Sequence, residues 1–148
     1  MKKQALKVVS MLSLSVLLGV VSAQANPTGL IKADIPFEFS VRDKILPAGA
    51  YTVASVTTPS ALLIQREDCR ASAVFLANSV QTRGKQGQTK LVFHRYGDQY
   101  FLAQVWTAGD SDGRQLRQSR TERELVKSRS NQLAKNAVEP EVVYIVAQ

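Results

Sequence analysis

A regular alternation of apolar and polar residues predicts a β-strand in the first third of the chain. From Ile31 to Val41 every second residue is apolar, and charged or polar residues or Pro36 occupy the positions between them. A period of two is typical of a strand with one buried face. Pro36 has no backbone N–H to donate, so we expect this strand at a sheet edge or at a bulge.

Turn-forming residues divide the next part of the chain into short strands. The segment Leu46-Pro47-Ala48-Gly49 predicts a turn, because proline presets φ and glycine accepts a positive φ. Strands are predicted over residues 50–56, 61–66 and 71–77, and the last two are joined as a hairpin. Residues 81–89 hold no apolar side chain, which predicts a solvated loop.

The clearest hairpin joins predicted strands 90–96 and 99–107 through the loop Gly97-Asp98. A two-residue loop that begins with glycine is typical of a type I′ or II′ turn, and such a loop fixes the register of the two strands. The expected pairs are Phe93 with Leu102 and His94 with Phe101. If the alternation is uninterrupted, one face carries Val92, His94, Phe101, Ala103 and Val105, and the other carries Leu91, Phe93, Tyr100, Leu102 and Trp106.

Near the C-terminus the pattern changes from strand to helix. The segment Ser119-Arg120-Thr121-Glu122 matches a capping box, in which the first and last side chains satisfy helix N-terminal N–H groups, and residues 121–124 offer a second one in an overlapping frame. Apolar residues follow at helical spacing from Leu125 onward, and Pro140 stops the pattern. We therefore predict a helix over about residues 119–135 and a final β-branched strand over about residues 142–147.

These elements predict a mainly β fold: a single small antiparallel barrel or sandwich of about seven strands with one C-terminal helix. The hairpin 90–107 is apolar on both faces, so both faces need cover. That requirement favours a closed, barrel-like sheet over an open one.

The N-terminus matches a secretory signal peptide. Lys2, Lys3 and Lys7 precede an apolar segment, residues 8–21, and Ala23-Gln24-Ala25 supplies the small residues that a signal peptidase accepts. A retained membrane anchor is the alternative, but a spanning helix needs about 20 apolar residues. We therefore expect cleavage after residue 25.

Cleavage there would divide the chain into a signal peptide, residues 1–25, and one β-rich domain, residues 26–148. The mature chain would then be exported to the periplasm or outside the cell, without a transmembrane segment. The formal charge of +7 includes three lysines of the signal peptide, which leaves about +4 on the mature chain. Such a mild excess argues against specific nucleic-acid binding, which requires a concentrated basic face.

Residues that carry chemistry are sparse. Cys69 is the only cysteine, so an intrachain disulfide is excluded and only an intermolecular one is open. His94 is the only histidine and has no metal-ligand or nucleophile partner at a recognisable spacing. Asp110 and Asp112 resemble part of a calcium loop that lacks its later ligands. We therefore predict no catalytic residue, no metal site and no cofactor.

One basic segment is a candidate anion-binding site. Arg114, Arg117, Arg120 and Arg123 recur at every third residue. If the helix extends back to residue 114, the four side chains form a slanting positive stripe on its surface. An ordinary solvated helix face is the alternative interpretation.

Four segments carry a resemblance to a group of small exported β-domain proteins common in soil bacteria. They are residues 35–39 (IPFEF), 46–53 (LPAGAYTV), 90–98 (KLVFHRYGD) and 100–106 (YFLAQVW). The resemblance covers roughly residues 31–125 and implies export and a compact β fold. It implies no activity, because the shared motifs are turn and strand patterns.

Three functions remain open from the sequence. The first is an exported non-enzymatic module that binds a small apolar ligand or a partner, or has a structural role in the cell envelope. The second is a binder of acidic polymers or of a membrane surface through the basic C-terminal segment. The third is an unrecognised hydrolase, which requires His94 to face a cleft beside an acid.

Overall fold

The computed structural model describes residues 29–132 and 139–148. The predicted signal peptide, residues 1–25, and the last predicted residues of the helix, 133–135, lie outside the described residues. Within the described ranges the chain forms ten strands and one helix. These are β1 (Ile31–Ile35), β2 (Phe39–Val41), β3 (Lys44–Leu46), β4 (Gly49–Ser55), β5 (Ala61–Arg66), β6 (Ser72–Gln81), β7 (Lys90–Tyr96), β8 (Gln99–Trp106), β9 (Asp112–Leu116), α1 (Arg120–Gln132) and β10 (Glu141–Val146).

The prediction of a mainly β chain with one helix is confirmed, but the sheet is mixed and is not closed into a barrel. Its strands follow the order β1-β4-β5-β6-β9-β8-β2-β3, and β7 lies between β8 and β10. Ser40 of β2 pairs in parallel with Phe101 of β8, whereas the other pairings are antiparallel. Lys32 and Gln148 exchange two backbone hydrogen bonds, of 2.7 and 2.8 Å, between the start of β1 and the C-terminus.

The prediction of about seven strands was too low for three reasons. The predicted strand 31–41 is two strands, since the chain leaves the sheet at Pro36 and re-enters at Phe39 with different partners, β3 and β8. Its alternation continues across the break because the odd-numbered side chains still point inward on both sides. The short strand β3 precedes and overlaps the predicted turn at Leu46, where no strand was predicted. Strand β9 occupies residues before the predicted helix for which no strand was predicted.

The interior is filled by large apolar side chains from most of the strands. Tyr51 of β4 is fully buried, and its hydroxyl donates to the Pro47 carbonyl at 2.6 Å, so its one polar atom is satisfied. The largest fully buried side chains are Tyr51, Phe39, Phe93, Ile35, Leu46, Ile64, Leu91 and Val53. These side chains form the core of the described residues.

The hairpin of β7 and β8 has the predicted register at its closed end. Phe93 lies opposite Leu102 and His94 lies opposite Phe101, as expected. The loop residue Gly97 has a φ of +67° and Asp98 does not have a positive φ, which fits a type II′ turn.

Farther from the turn, the predicted faces are wrong for two residues of β8. The pairing shifts by one residue, because Val92 lies opposite Gln104 whereas Phe93 lies opposite Leu102. This bulge leaves an extra residue on β8 and exchanges the faces beyond it. Val105 therefore joins the core, and Trp106 turns to the outer face of the sheet.

The outer face of the β7–β8 hairpin is covered at its turn end by α1 and not by closure of the sheet. Tyr96 and Phe101 are buried although they lie outside the central core, and their rings meet edge to face at 5.9 Å. Arg129 of α1 donates to the Tyr96 carbonyl at 3.2 Å, which holds the helix against the end of β7. The inference that both faces need cover is thus confirmed, and the barrel inferred from it is wrong.

The hairpin predicted between β5 and β6 turns through Cys69, which has a φ of +58°. The Cys69 N–H donates to the Arg66 carbonyl at 2.9 Å, and the Asp68 carboxylate accepts from the Arg70 N–H at 3.0 Å. The Cys69 side chain is exposed. A side chain in this left-handed conformation costs about 1–2 kcal/mol, which glycine avoids.

We expect Cys69→Gly to stabilise the protein. The strain energy that glycine relieves exceeds the free-energy cost of its greater freedom in the unfolded chain. The free energy of unfolding should therefore rise by about 0.5–1 kcal/mol. Urea unfolding of the two proteins measures the difference. Cys69→Ala is the matched control, because it removes the thiol and keeps the Cβ; an equal gain in Cys69→Ala would show that backbone strain is not the cause.

Candidate functional site

A buried polar cluster joins the first turn of α1 to the outer face of β7. The Ser119 hydroxyl accepts from the Glu122 N–H at 3.0 Å, so the predicted N-cap is confirmed. The Glu122 carboxylate does not complete the predicted capping box. It turns to the sheet, where its Oε1 accepts from Tyr96 Oη at 3.3 Å and lies 3.2 Å from His94 Nδ1.

The burial of this cluster differs between its members. Glu122 is only 4% exposed, whereas the His94 side chain keeps 25% of its surface exposed. A buried carboxylate is costly unless it is hydrogen-bonded, and two side-chain donors meet this one in addition to the favourable end of the helix dipole. Glu122 therefore fixes the orientation of a histidine whose ring is accessible from outside.

The environment of the cluster raises the pKa of Tyr96. Burial raises the pKa of its phenol to about 12, and the charge of Glu122 and the hydrogen bond to it add to the effect, while a hydrogen bond from Gln118 opposes it. Burial also raises the pKa of Tyr51, against the effect of Arg66. Both phenols are therefore neutral donors at ordinary pH.

We expect the protein to lose stability as the pH rises from 10 to about 12. The unfolded chain ionises its tyrosines near pH 10, whereas folded Tyr96 holds its proton to about pH 12. The stability that Tyr96 contributes is therefore complete below pH 10 and is lost as the pH rises from 10 to about 12. Denaturant unfolding across this range measures the loss. Tyr96→Phe should flatten the decline and leave the smaller part due to Tyr51; an unchanged decline would exclude Tyr96 as its source.

His94 lies between two open depressions on the outer face of the sheet. The first, the Tyr144 depression, has a volume of ≈ 310 Å³. The second, the Arg117 depression, has a volume of ≈ 440 Å³. The Tyr144 depression is bounded by Lys90, Val92, His94, Gln104, Trp106 and Tyr144. The Arg117 depression is bounded by Asn78, His94, Gln115, Arg117, Glu122 and Arg123.

A row of directly paired residues connects the two depressions across five strands. Asn78 lies opposite Gln115, Gln115 opposite Gln104, Gln104 opposite Val92, and Val92 opposite Tyr144. Strands are about 4.8 Å apart, so the row is roughly 19 Å long. We call its three amides (Asn78, Gln115 and Gln104) the amide row, and we call the surface that holds it and both depressions the binding face.

Trp106 restricts one side chain of the amide row, that of Gln104. Trp106 Nε1 donates to Gln104 Oε1 at 2.8 Å, which leaves the NH₂ group of this amide to face other partners. Trp106 itself lies over Gly113, where a Cβ would come within 2.6 Å of the indole ring. The bulge in β8 is what brings Trp106 to this face.

Positive charge borders the binding face at both ends. The Lys90 ammonium lies 5.2 Å from the centre of the exposed Tyr144 ring, and Arg117 and Arg123 are exposed at the other depression. Among the described residues that line the two depressions, Glu122 is the one carboxylate, and it is occupied by His94 and Tyr96.

The structure divides the four arginines predicted as an anion-binding stripe. The helix begins at Arg120, so the condition for a continuous helical stripe is not met. Arg114 belongs to β9 and lines a separate opening beside Asp110 and Asp112. Arg120 is paired with Glu124 at 2.8 Å, and only Arg117 and Arg123 lie at one depression. That the arginines bind an anion stays a prediction.

Sequence reasoning missed two parts of the binding face for different reasons. Glu122 was recognised as a helix cap, which concealed its contact with His94. The amide row could not be found, because it needs the pairing of β9 and the bulge in β8. Two signals were available in the sequence. His94 was singled out as the residue that would need an acid beside it, and Arg117 and Arg123 were part of the predicted anion-binding stripe.

Two further findings on the described residues and three comparisons with known proteins bear on the kind of site. Across the described ranges, no three of the His, Cys, Asp and Glu side chains are grouped closely enough to hold a metal ion. The part of the chain that the structure describes holds no helix of the length and apolarity needed to cross a membrane. No family model matches the sequence, and neither a curated protein nor a solved structure is significantly similar to it.

Proposed function

We propose that the mature chain is an exported, non-enzymatic module that binds an extended ligand on the binding face. The single observation that carries this proposal is the amide row, which runs in register across the strands and connects two depressions. The depressions, ≈ 310 and ≈ 440 Å³, lie in the size range of ligand sites. In this proposal the strands form a sandwich-type scaffold with a filled interior, and the ligand lies on its outside.

The buried cluster supports binding because it makes the centre of the face rigid. The Glu122 carboxylate holds His94 through its Nδ1, and the Ser119 hydroxyl accepts from the Glu122 N–H and so positions Glu122 in turn. A side chain that is fixed before a ligand arrives loses less conformational entropy when it binds.

Hydrogen–deuterium exchange tests this function. The exported protein is compared with and without four probes: dextran, polygalacturonate, phosphatidylglycerol vesicles and double-stranded DNA. We expect at least one probe to bind and to protect peptides from β8, β9 and β10. Binding by none of them, or protection restricted to β1, β4 and β5, would overturn the proposal.

Export is the second part of the proposal and has its own test. We expect the mature protein to begin at Asn26, because the positive residues, the apolar segment and the cleavage pattern occur in the order that export requires. Intact-mass measurement of exported material decides this. A protein that keeps residues 1–25 and stays with the membrane would contradict it.

Hydrolysis is a second candidate function, because His94 does face a depression beside an acid. The pair resembles a general base with the group that orients it. Against it, glycoside hydrolysis ordinarily uses a pair of carboxyl groups, and Glu122 is the one carboxylate among the described residues that line the two depressions. New reducing ends from polygalacturonate or dextran, lost in His94→Ala, would establish hydrolysis; none above the buffer level is expected.

A further inference from the structure

We propose that the ligand of the binding face is an acidic polysaccharide, which lies across the strands with Tyr144 at one end and Arg117 at the other. This inference rests on the proposed function and names the class of ligand. Three features of the face carry it: the aromatic ring, the amides and the placement of charge.

The aromatic end suits a sugar ring. Tyr144 is 58% exposed on the edge strand β10, so one of its sides is open to a ligand. Aromatic side chains offer large apolar area with few rotatable bonds, which makes them effective contact residues. Lys90 lies beside the same ring and supplies a positive charge for an acidic group next to the sugar.

The amide row suits hydroxyl groups. Asn78 and Gln115 carry both donors and an acceptor, and Gln104 offers its NH₂ donors beside its bond from Trp106. Sugar hydroxyls both donate and accept, so they match these amides without a fixed sequence of donors. A lipid surface would remove water from Asn78, Gln115 and Gln104 without replacing their hydrogen bonds, which is unfavourable. The position of the amides between the two charged ends therefore favours a hydroxyl-rich chain over a membrane.

The charged end suits a carboxylate polymer. Arg117 and Arg123 both line the Arg117 depression, and Arg117 directly follows β9, which lies three strand spacings, or roughly 14 Å, from the β10 strand that carries Tyr144. Positive groups at both ends fit a ligand that carries an acidic group on more than one sugar. Single-stranded nucleic acid would need several exposed aromatic rings for its bases, and of the aromatic side chains described on this face Tyr144 is the exposed one.

The test is titration of the exported protein with polygalacturonate, at low and high salt, by calorimetry. We expect binding that weakens with salt, because exposed charges are screened. The double variant R117Q/R123Q should bind about tenfold less tightly or worse, and so should Tyr144→Ala, since each removes a contact of this size. Gln104→Ala combined with Gln115→Ala should weaken binding at low and high salt alike.

The double variant R70Q/R83Q is the matched control. It also removes two exposed positive charges, but Arg70 and Arg83 do not line either depression. We expect it to bind polygalacturonate within about twofold of the original protein, since only long-range charge is lost. An equal loss in both double variants would show attraction to net charge alone and would overturn the inference.

Neutral dextran, phosphatidylglycerol vesicles and double-stranded DNA separate this inference from the function it rests on. Dextran bound as tightly as polygalacturonate, with protection of β8 to β10, would reject the acidic class and keep the binding module. Tighter binding of vesicles or DNA at the same face would reject the polysaccharide. Failure of every probe to bind would overturn both proposals.

Discussion

Replacing Phe93 by alanine should lower the free energy of unfolding by about 3–5 kcal/mol. Phe93 is fully buried, and its ring meets Phe37 at 5.3 Å and Phe39 at 5.4 Å, both edge to face. Phe39 in turn meets Tyr51 at 5.2 Å. The aromatic chain joins β7 to β2 and β4, so its loss leaves a cavity where three strands meet.

Guanidinium unfolding followed by circular dichroism measures this loss. A domain of this kind has roughly 5–15 kcal/mol of stability, so the Phe93→Ala variant should still fold, with a lower midpoint and an unchanged slope. Val74→Ala is the control, because Val74 is 66% exposed on the outer face of β6 and should shift stability by no more than about 0.5 kcal/mol. Similar losses in both variants would contradict the core described above.

The alternation of apolar residues predicted most strands but not their partners. Period-two patterns depend only on which side faces inward, and residues 31–41 keep that side while the chain changes neighbours after Pro36. Turn residues were more informative, since Gly97-Asp98 fixed the Phe93 pairing in advance. Local sequence thus identified elements and tight turns, whereas long-range pairing decided where each strand lies.

Strand β9 shows what local sequence could not predict. Its five residues include a single large apolar side chain, Leu116, and a glycine, so they carry no strand pattern. The segment is a strand because β6 and β8 supply hydrogen bonds on both sides. The amide row depends on this pairing through Gln115, which explains why the candidate site was not predicted.

The bulge in β8 is the second such feature, and it has a direct effect on the binding face. Uninterrupted alternation placed Trp106 with Phe93 in the core, whereas the extra residue places it outside. No turn residue marks the bulge in the sequence. His94 lies on the turn side of the shift, so its predicted face was correct.

The position of Trp106 leads to the second large expected effect, that of Gly113→Val. An added Cβ at Gly113 would lie 2.6–2.8 Å from three atoms of the indole ring, closer than packed carbons approach. Overpacking of this kind costs about 1–3 kcal/mol, and valine adds two further methyl groups. β-propensity alone predicts the opposite sign, since valine favours strands and glycine does not. We therefore expect a loss of stability of about 2–3 kcal/mol.

Unfolding of Gly113→Val followed by circular dichroism checks the sign, and fluorescence of Trp106, the only tryptophan, reports whether the indole has moved. Gly87→Val is the matched control, because a Cβ there meets nothing within 4 Å. In a Trp106→Leu background the penalty of Gly113→Val should shrink, since residues in contact are energetically coupled. Displacement of the indole should also break its hydrogen bond to Gln104. Because Gln104 is then no longer held in place, polygalacturonate binding should weaken. A stabilised Gly113→Val protein with unchanged fluorescence would show that Trp106 does not lie over Gly113.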